Sequence, residues 1–331
     1  MAKVGVIGAG SWGTALALVL HENKHQVILW SNEPEHVAEL QKTKANPRFL
    51  PGVELPESLL YTNSLAECAA GADFLVMAVP SHAVYPVARQ LRETDTVAAE
   101  TVLISVAKGF DTQTYQRMSE VLAAAFPSNP VAVFSGPSHA EEVSRRIPTA
   151  IVAAAADEKV MRAVQELFST PCLRVYTNSD VIGVELGGSL KNILALASGI
   201  CYGMGCGDNT EAALITRGLK EIVRLGCAMG ARAETFYGLS GLGDLVVTCG
   251  SQHSRNRQAG VLLGQGQKLD EVLPQVGMVV EGVNATKIAH ELAARYDVDM
   301  PLTECIYQVL YDELPIKEVS ARLMLRNQKP E

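Results

Sequence analysis

Residues 4–20 read Val-Gly-Val-Ile-Gly-Ala-Gly-Ser-Trp-Gly-Thr-Ala-Leu-Ala-Leu-Val-Leu. A short apolar strand, Val4–Ile7, runs into Gly8-x-Gly10-x-x-Gly13 and straight on into an apolar helix. A lone G-x-G-x-x-G says little; flanked by strand and helix it is a dinucleotide-binding turn. Gly8 permits the tight turn, Gly10 lets a pyrophosphate approach bare backbone, and Gly13 lets the helix pack close to the sheet. The amides of the first helical turn then face the anion, aided by the helix dipole. A glycine-rich turn in some other α/β protein is the alternative, and the presence of both flanks disfavours it.

Outward from this turn the first half of the chain alternates strand and helix. Gln26–Trp30 reads as a second strand. Continuous apolar runs at Phe74–Val79, Val102–Val106 and Val131–Phe134 read as buried parallel strands, and Thr149–Ala155 and Leu173–Tyr176 extend the sheet. The alternation implies a doubly wound parallel sheet. From about Asp180 helical periodicity takes over, as in Gly188–Met204, Glu211–Met229, Val283–Tyr296 and Thr303–Glu313. The expected division is a dinucleotide-binding domain over residues 1–179 and an all-helical domain over 180–331.

Composition agrees. A chain of 331 residues exceeds one typical core, and 48% hydrophobic residues supply ample interior. A net charge of −8 argues against a nucleic-acid binder, which needs a basic face, but leaves room for a local basic pocket for an anionic metabolite. The seven cysteines are odd in number, irregular in spacing and without C-x-x-C. Reduced thiols, most of them small core residues, are expected, with no metal site. The longest apolar stretch, Ile193–Cys206, is too short to span a bilayer. Glycines interrupt the apolar run after Lys3, so it reads as the fingerprint rather than a signal peptide. A cytoplasmic protein without an integral membrane segment is expected.

In open α/β sheets ligands bind beyond the carboxyl ends of the strands. Lys108 sits at such an end, either reaching a phosphate or carbonyl or lying on the surface. Ser81, His82, Gly136 and Ser138 occupy similar positions. Lys191-Asn192 falls near the start of an otherwise apolar helix, where a lysine is either a general acid or base or a snorkelling side chain. Asp244, in Gly238-Leu-Ser-Gly-Leu-Gly-Asp-Leu, either caps a helix or orients a nearby cation. His253-Ser-Arg-Asn-Arg257 is either a solvated basic loop or an anion site in which Arg255 grips phosphate beside Ser254 and Asn256.

Taken in order, these segments closely resemble the bacterial NAD(P)-dependent glycerol-3-phosphate dehydrogenases over nearly the whole chain. The resemblance rests on Gly8-Ala-Gly-Ser-Trp-Gly-Thr-Ala-Leu, Val79-Pro-Ser-His, Lys108-Gly109, Ser135-Gly-Pro-Ser-His-Ala-Glu and Gly183-Val-Glu-Leu-Gly-Gly-Ser-Leu-Lys-Asn. It continues through Leu214-Ile-Thr-Arg-Gly-Leu, Gly241-Leu-Gly-Asp-Leu, Ser254-Arg-Asn-Arg and Met300-Pro-Leu-Thr. It implies an α/β fold with an N-terminal Rossmann-like doubly wound sheet and an all-α C-terminal domain, 6-phosphogluconate-dehydrogenase-like. It implies that Lys191 transfers the proton, with Asp244 and Lys108 beside it. Lys108, Gly136, Ser138, Lys191, Asp244, Ser254, Arg255 and Asn256 would meet the substrate. Gly8, Gly10, Ser11, Trp12, Gly13, Asn32, Lys108, Ala140, Arg255, Val279 and Glu281 would meet the cofactor. Ala107, Phe110 and Ser138-His139 depart from the family's usual residues near the site but spare its charged groups.

The implied reaction is reduction of dihydroxyacetone phosphate to sn-glycerol 3-phosphate with NADH or NADPH, supplying glycerophospholipid synthesis, in a homodimer. Its partner is a small molecule, not a nucleic acid. An acid usually ends the second strand of a strict NAD site. Here Trp30 is followed by Ser31 and Asn32, with Glu33 beyond and no arginine adjacent, so both cofactors are expected, NADPH tolerated or preferred. Two other functions stay open on the residues: a related dehydrogenase of another hydroxy or sugar acid, and a nicotinamide sensor without turnover.

Overall fold

Strand β1 (Lys3–Ile7) lies inside an eight-stranded sheet, and its side chains alternate between two cores. Val4 and Val6 pack on one face with Val76, Ile104 and Phe134; Ile7 packs on the other with Leu75, Met77 and Leu103. A strand sealed on both faces must be continuously apolar, which is why its sequence carries no polar alternation. The computed structural model describes residues 1–326. They form one unit over Met1–Glu185 and a second from Leu186 on.

The other strands are β2 (Gln26–Trp30), β3 (Ala45–Asn46), β4 (Leu50–Glu54), β5 (Leu60–Thr62), β6 (Phe74–Met77), β7 (Val102–Ser105), β8 (Val131–Ser135), β9 (Thr149–Ala154) and β10 (Leu173–Asn178). The sheet order is β10-β9-β8-β7-β6-β1-β2-β5, while β3 and β4 form a separate antiparallel ribbon. The helices of this unit are α1 (Ser11–Glu22), α2 (Pro34–Thr43), α3 (Leu65–Ala69), α4 (Ser81–Glu93), α5 (Met118–Ala125), α6 (Ala140–Val143) and α7 (Glu158–Phe168). Strand order reverses beside β1, so the glycine turn after β1 stands at the topological switch point where such sheets bind ligands.

One expectation about the sheet needs correction. The sheet is not parallel throughout: β9 runs antiparallel to β8, with Phe134 opposite Ala153, and β10 follows β9 in parallel. The connection from β8 holds only the four-residue α6, too short a helix to return the chain along the sheet for a parallel strand.

Among the described residues the second unit has no strand. It comprises the remainder of α8 (Val181–Gly203), which begins in the first unit, then α9 (Asp208–Ala228), α10 (Asp244–Gly250), α11 (Arg255–Gly264), α12 (Leu269–Val276), α13 (Glu281–Tyr296), α14 (Pro301–Tyr311) and α15 (Ile316–Met324). A 3-10 segment, Ala233–Tyr237, and a π-turn, Leu239–Gly243, precede α10. Helix α8 starts earlier than its apolar run suggests because the Asp180 carboxylate accepts a hydrogen bond from Gly183 N at 2.9 Å. Lys191 is therefore deep inside the helix, not near its start. The longer helix also revises the membrane argument. By length and a mean hydropathy of 1.2 alone α8 could cross a bilayer, but 89% of that window is buried inside the protein, as in a core helix. All seven cysteines are free, and only Cys68, Cys249 and Cys305 are buried, fewer than expected.

Two backbones touch in this unit. A Cβ at Gly199 would sit 2.1 Å from the Arg257 carbonyl oxygen, and one at Gly260 would sit 2.1 Å from that of Leu196. Gly203 and Gly264 repeat the contact one turn on, each 2.3 Å from a facing carbonyl. Small residues four apart on both helices thus let α8 and α11 pack without intervening side chains.

Adding a methyl group to this seam should destabilise the fold. Gly260→Ala is expected to cost about 1–3 kcal/mol as overpacking, read as a lower chemical-denaturation midpoint. Gly250→Ala, where a Cβ meets nothing within 4 Å, is the control and should not lower it. Equal midpoints for the two variants would remove the steric explanation. A second prediction concerns pH. Glu221 on α9 accepts hydrogen bonds from Leu302 N (2.7 Å) and Thr303 N (3.1 Å) at the start of α14. Burial nevertheless pushes its carboxyl from 4.5 up to about 7, against the pull of those bonds and of Arg224. An acid raised on folding holds its proton longer in the native state, so its contribution to stability falls as pH rises from about 4.5 to about 7. Glu221→Gln should flatten that decline in denaturation midpoints measured at pH 5 and pH 7.5. An unchanged slope would show that Glu221 does not govern it.

Candidate active site

The glycine turn has the shape of a nucleotide cradle. Gly8 has φ of +123°, and a Cβ there would lie 2.7 Å from the Ala78 carbonyl group. A Cβ on Gly13 would lie 1.9 Å from the Gly8 carbonyl oxygen. Gly10 differs: its backbone is ordinary extended chain (φ −72°, ψ −176°), and a Cβ would meet nothing within 4 Å. Gly10 is thus required by nothing in the protein itself, which fits a position kept bare for an incoming pyrophosphate. No side chain caps α1, leaving its opening turn, Ser11 and Trp12 included, to an outside anion. The buried Trp12 Nε1 has no hydrogen-bond partner in the described structure. These features fit a dinucleotide.

Nearby, Asn46 Nδ2 donates to the Ala9 carbonyl (2.9 Å) and to Thr14 Oγ1 (2.8 Å), tying the β3–β4 ribbon to the glycine turn. His36, buried, bridges Asn46 Oδ1 and Ser31 Oγ at 3.1 Å each. Asn32 is exposed just past β2. The sequence shows no arginine adjacent to this strand end, but the fold supplies one: Arg48 Nη1 donates to Glu33 Oε2 at 2.6 Å.

At the ends of β7 and β8 three expected residues meet. Lys108 Nζ donates to the Gly136 carbonyl (2.8 Å) and to Ser138 Oγ (3.3 Å). Gly136, at φ of +146°, turns its carbonyl into this position. Ala140 is buried at the start of α6.

The second unit holds a separate cluster. Lys191, 5% exposed, pairs through Nζ with the Asp244 carboxylate, and Asp244 is 1% exposed. Thr248 Oγ1 accepts from Lys191 Nζ at 2.6 Å while its own hydrogen goes to the Asp244 carbonyl at 2.6 Å. Asp244 is not the cap of α10, since it is that helix's first residue and holds the lysine instead. Lys191 is not a snorkelling side chain, because its amine is buried. Thr248 was not anticipated; its sequence signal is only that it lies one turn after Asp244 on the same helix.

Ser254 caps α11 by accepting from Arg257 N at 3.2 Å. Asn256 Nδ2 donates to Asn192 Oδ1 at 2.9 Å, and Asn256 Oδ1 accepts from Gly282 N at 2.8 Å. These bonds fasten the residue after Lys191 to the residue after Arg255, and both to the start of α13. Glu281 opens α13, with Val279 half-buried just before it. Glu185, buried in the first unit, was also missed: it accepts from Arg117 Nη1 (2.6 Å) and Ser119 N (2.8 Å), anchoring the start of α8. Burial raises its carboxyl, and Arg117 opposes the rise.

Residues 3–161 match the model of the NAD-dependent glycerol-3-phosphate dehydrogenase N-terminus, and residues 180–321 that of its C-terminus. A glycerol-3-phosphate dehydrogenase (NAD(P)+) of Moorella thermoacetica is 52% identical over 98% of this chain and 96% of its own. One from Geobacter sulfurreducens is 50% identical over 99% of this chain and 98% of its own. The crystal structure of glycerol-3-phosphate dehydrogenase from Coxiella burnetii superposes with a TM-score of 0.94 at 40% identity, over 98% of this chain and 99% of that one.

Gly10 and Gly13 separate binding from folding. Gly10→Val should fold with a normal thermal midpoint yet weaken NADH and NADPH binding at least about tenfold. Gly13→Ala should lower the midpoint itself through its clash with Gly8. Undiminished cofactor affinity in Gly10→Val, measured by calorimetry, would remove the pyrophosphate from this turn.

Proposed function

The chain belongs to the NAD-dependent glycerol-3-phosphate dehydrogenases, and on that premise we propose that its buried Lys191 moves the proton of the reaction. The enzyme is an oxidoreductase that reduces dihydroxyacetone phosphate to glycerol 3-phosphate, using NAD(H) or NADP(H). The observation that carries the proposal is the contact of Lys191 Nζ with Asp244 and Thr248 inside an otherwise apolar helix. A lysine amine is rarely buried without a partner, and this one is held by a carboxylate and a hydroxyl that fix where it points.

A reduced nicotinamide, when bound, would supply hydride for the substrate's carbonyl carbon. As the carbonyl oxygen gains negative charge, the Lys191 ammonium stabilises it and donates a proton. Asp244 balances the ammonium, and Thr248 holds its direction. In the reverse direction the neutral amine takes the hydroxyl proton. Arg255, at the first position of α11, would grip the substrate phosphate with help from Ser254 and the helix-start amides. Asn256 would serve chiefly by locking α11 to Asn192, since its amide is engaged within the protein. Lys108, with Gly136 and Ser138, would add positive charge beside substrate and cofactor. Gly8, Gly10, Ser11, Trp12, Gly13, Asn32, Ala140, Val279 and Glu281 would line the cofactor.

We further infer that the product is the sn-3-phosphate, that it supplies glycerophospholipid synthesis in the cytoplasm, and that the enzyme works as a homodimer, the commonest assembly of soluble enzymes.

The direct test follows NADPH loss on adding dihydroxyacetone phosphate. Lys191→Ala should lower kcat by about 10²–10⁴ while calorimetry still shows cofactor binding; near-normal turnover would refute the assignment. Arg255→Ala should act mainly on KM for the phosphorylated substrate. An unchanged specificity constant would take Arg255 out of the site.

A further inference from the structure

At the end of β2 the fold brings together two residues of opposite meaning for a bound nucleotide. Glu33 precedes α2, and Arg48 lies in the β3–β4 ribbon, yet Arg48 Nη1 donates to Glu33 Oε2 at 2.6 Å. Both side chains remain open to solvent, Arg48 54% and Glu33 43% exposed. In this type of fold an acid near the end of the second strand takes the ribose 2′-hydroxyl of NAD, whereas an arginine accommodates the 2′-phosphate of NADP. Here both are present, already bonded to each other.

Their surroundings keep the pair in register with the nucleotide cradle. Glu33 N donates to Ser31 Oγ at 3.4 Å, and Ser31 leads through His36 to Asn46. Asn46 in turn holds the Ala9 carbonyl in the glycine turn. Arg48 lies two residues beyond Asn46, with its guanidinium 4.7 Å from the Phe49 ring centroid. That ring sustains the guanidinium when its carboxylate partner leaves. An exposed ion pair is weak, so Arg48 can exchange a carboxylate for a phosphate at little cost. While paired, Arg48 also cancels the charge with which Glu33 would repel a 2′-phosphate.

We propose that the Glu33–Arg48 pair sets the balance between the two cofactors, Glu33 receiving the ribose 2′-hydroxyl of NADH and Arg48 receiving the 2′-phosphate of NADPH. The inference rests on the placement of the dinucleotide at the glycine turn. It explains dual use through one exchangeable bond: NADH leaves Glu33 as the dominant contact, and NADPH draws Arg48 away from it.

Calorimetric titration of the full-length enzyme with NADH and with NADPH, without substrate, tests this. Arg48→Ala should raise the ratio of the NADPH to the NADH dissociation constant by about tenfold or more, as expected for loss of a charge-assisted hydrogen bond. Glu33→Gln should move the ratio the other way, by about threefold or more, through a freed arginine and a lost acceptor. Because both residues are exposed, both variants should keep the wild-type thermal midpoint. Opposite shifts in the ratio support the proposal. A ratio unchanged in both variants, or moved in the same direction by both, overturns it even with the placement of the cofactor intact. Retention of full affinity for both cofactors in Gly10→Val overturns that placement and this inference with it.

Discussion

The second unit depends on a place where two helices have no side chains between them. Gly199 and Gly203 on α8 face Gly260 and Gly264 on α11 so closely that any added carbon meets a carbonyl oxygen. Lys191 rides on the first helix, and Ser254, Arg255 and Asn256 stand at the start of the second. Residues far apart in the chain thereby share one rigid frame, secured again by the bond between Asn192 and Asn256. Precision of this kind is what catalysis by positioning requires, because small displacements of reacting groups lose much of the benefit.

The buried ion pair of Lys191 and Asp244 has a different meaning from the glycine seam. Removing two charges from water is expensive, and a well-packed apolar pair of similar volume often leaves a protein equally or more stable. Its burial between α8 and α10 is therefore weak evidence for a stabilising role. Thr248 sharpens the point: its hydroxyl hydrogen is committed to the Asp244 carbonyl, so a lone pair is turned toward the lysine amine.

Much of this was legible in the sequence, for identifiable reasons. The strand, glycine turn and helix at residues 3–22 are local, and glycine spacing reports on backbone sterics directly. Buried strands showed as apolar runs. Strand β9 showed too, but its antiparallel direction did not, because strand direction depends on how the intervening connection folds, and an apolar run has no direction. The start of α8 was misjudged because its cap, Asp180, stands well before the apolar run. Thr248, Glu185 and the Glu33–Arg48 pair were missed because each is defined by a contact between distant or chemically ordinary residues, which no single segment reveals. The glycines of α8 and α11 were visible, but their meaning required knowing that the two helices face each other.

The bonds from Asn46 to Ala9 and Thr14, continued through His36 to Ser31, carry an implication for how such enzymes diversify. On the proposed placement of the nucleotide, its pyrophosphate and ribose ends would be measured by one internal ruler whose graduations, Ser31, His36 and Asn46, are buried, while Glu33 and Arg48 sit on its outer edge. Coenzyme choice can therefore drift in a lineage by exchange at two surface positions, with neither the ruler nor the reaction chemistry recalibrated.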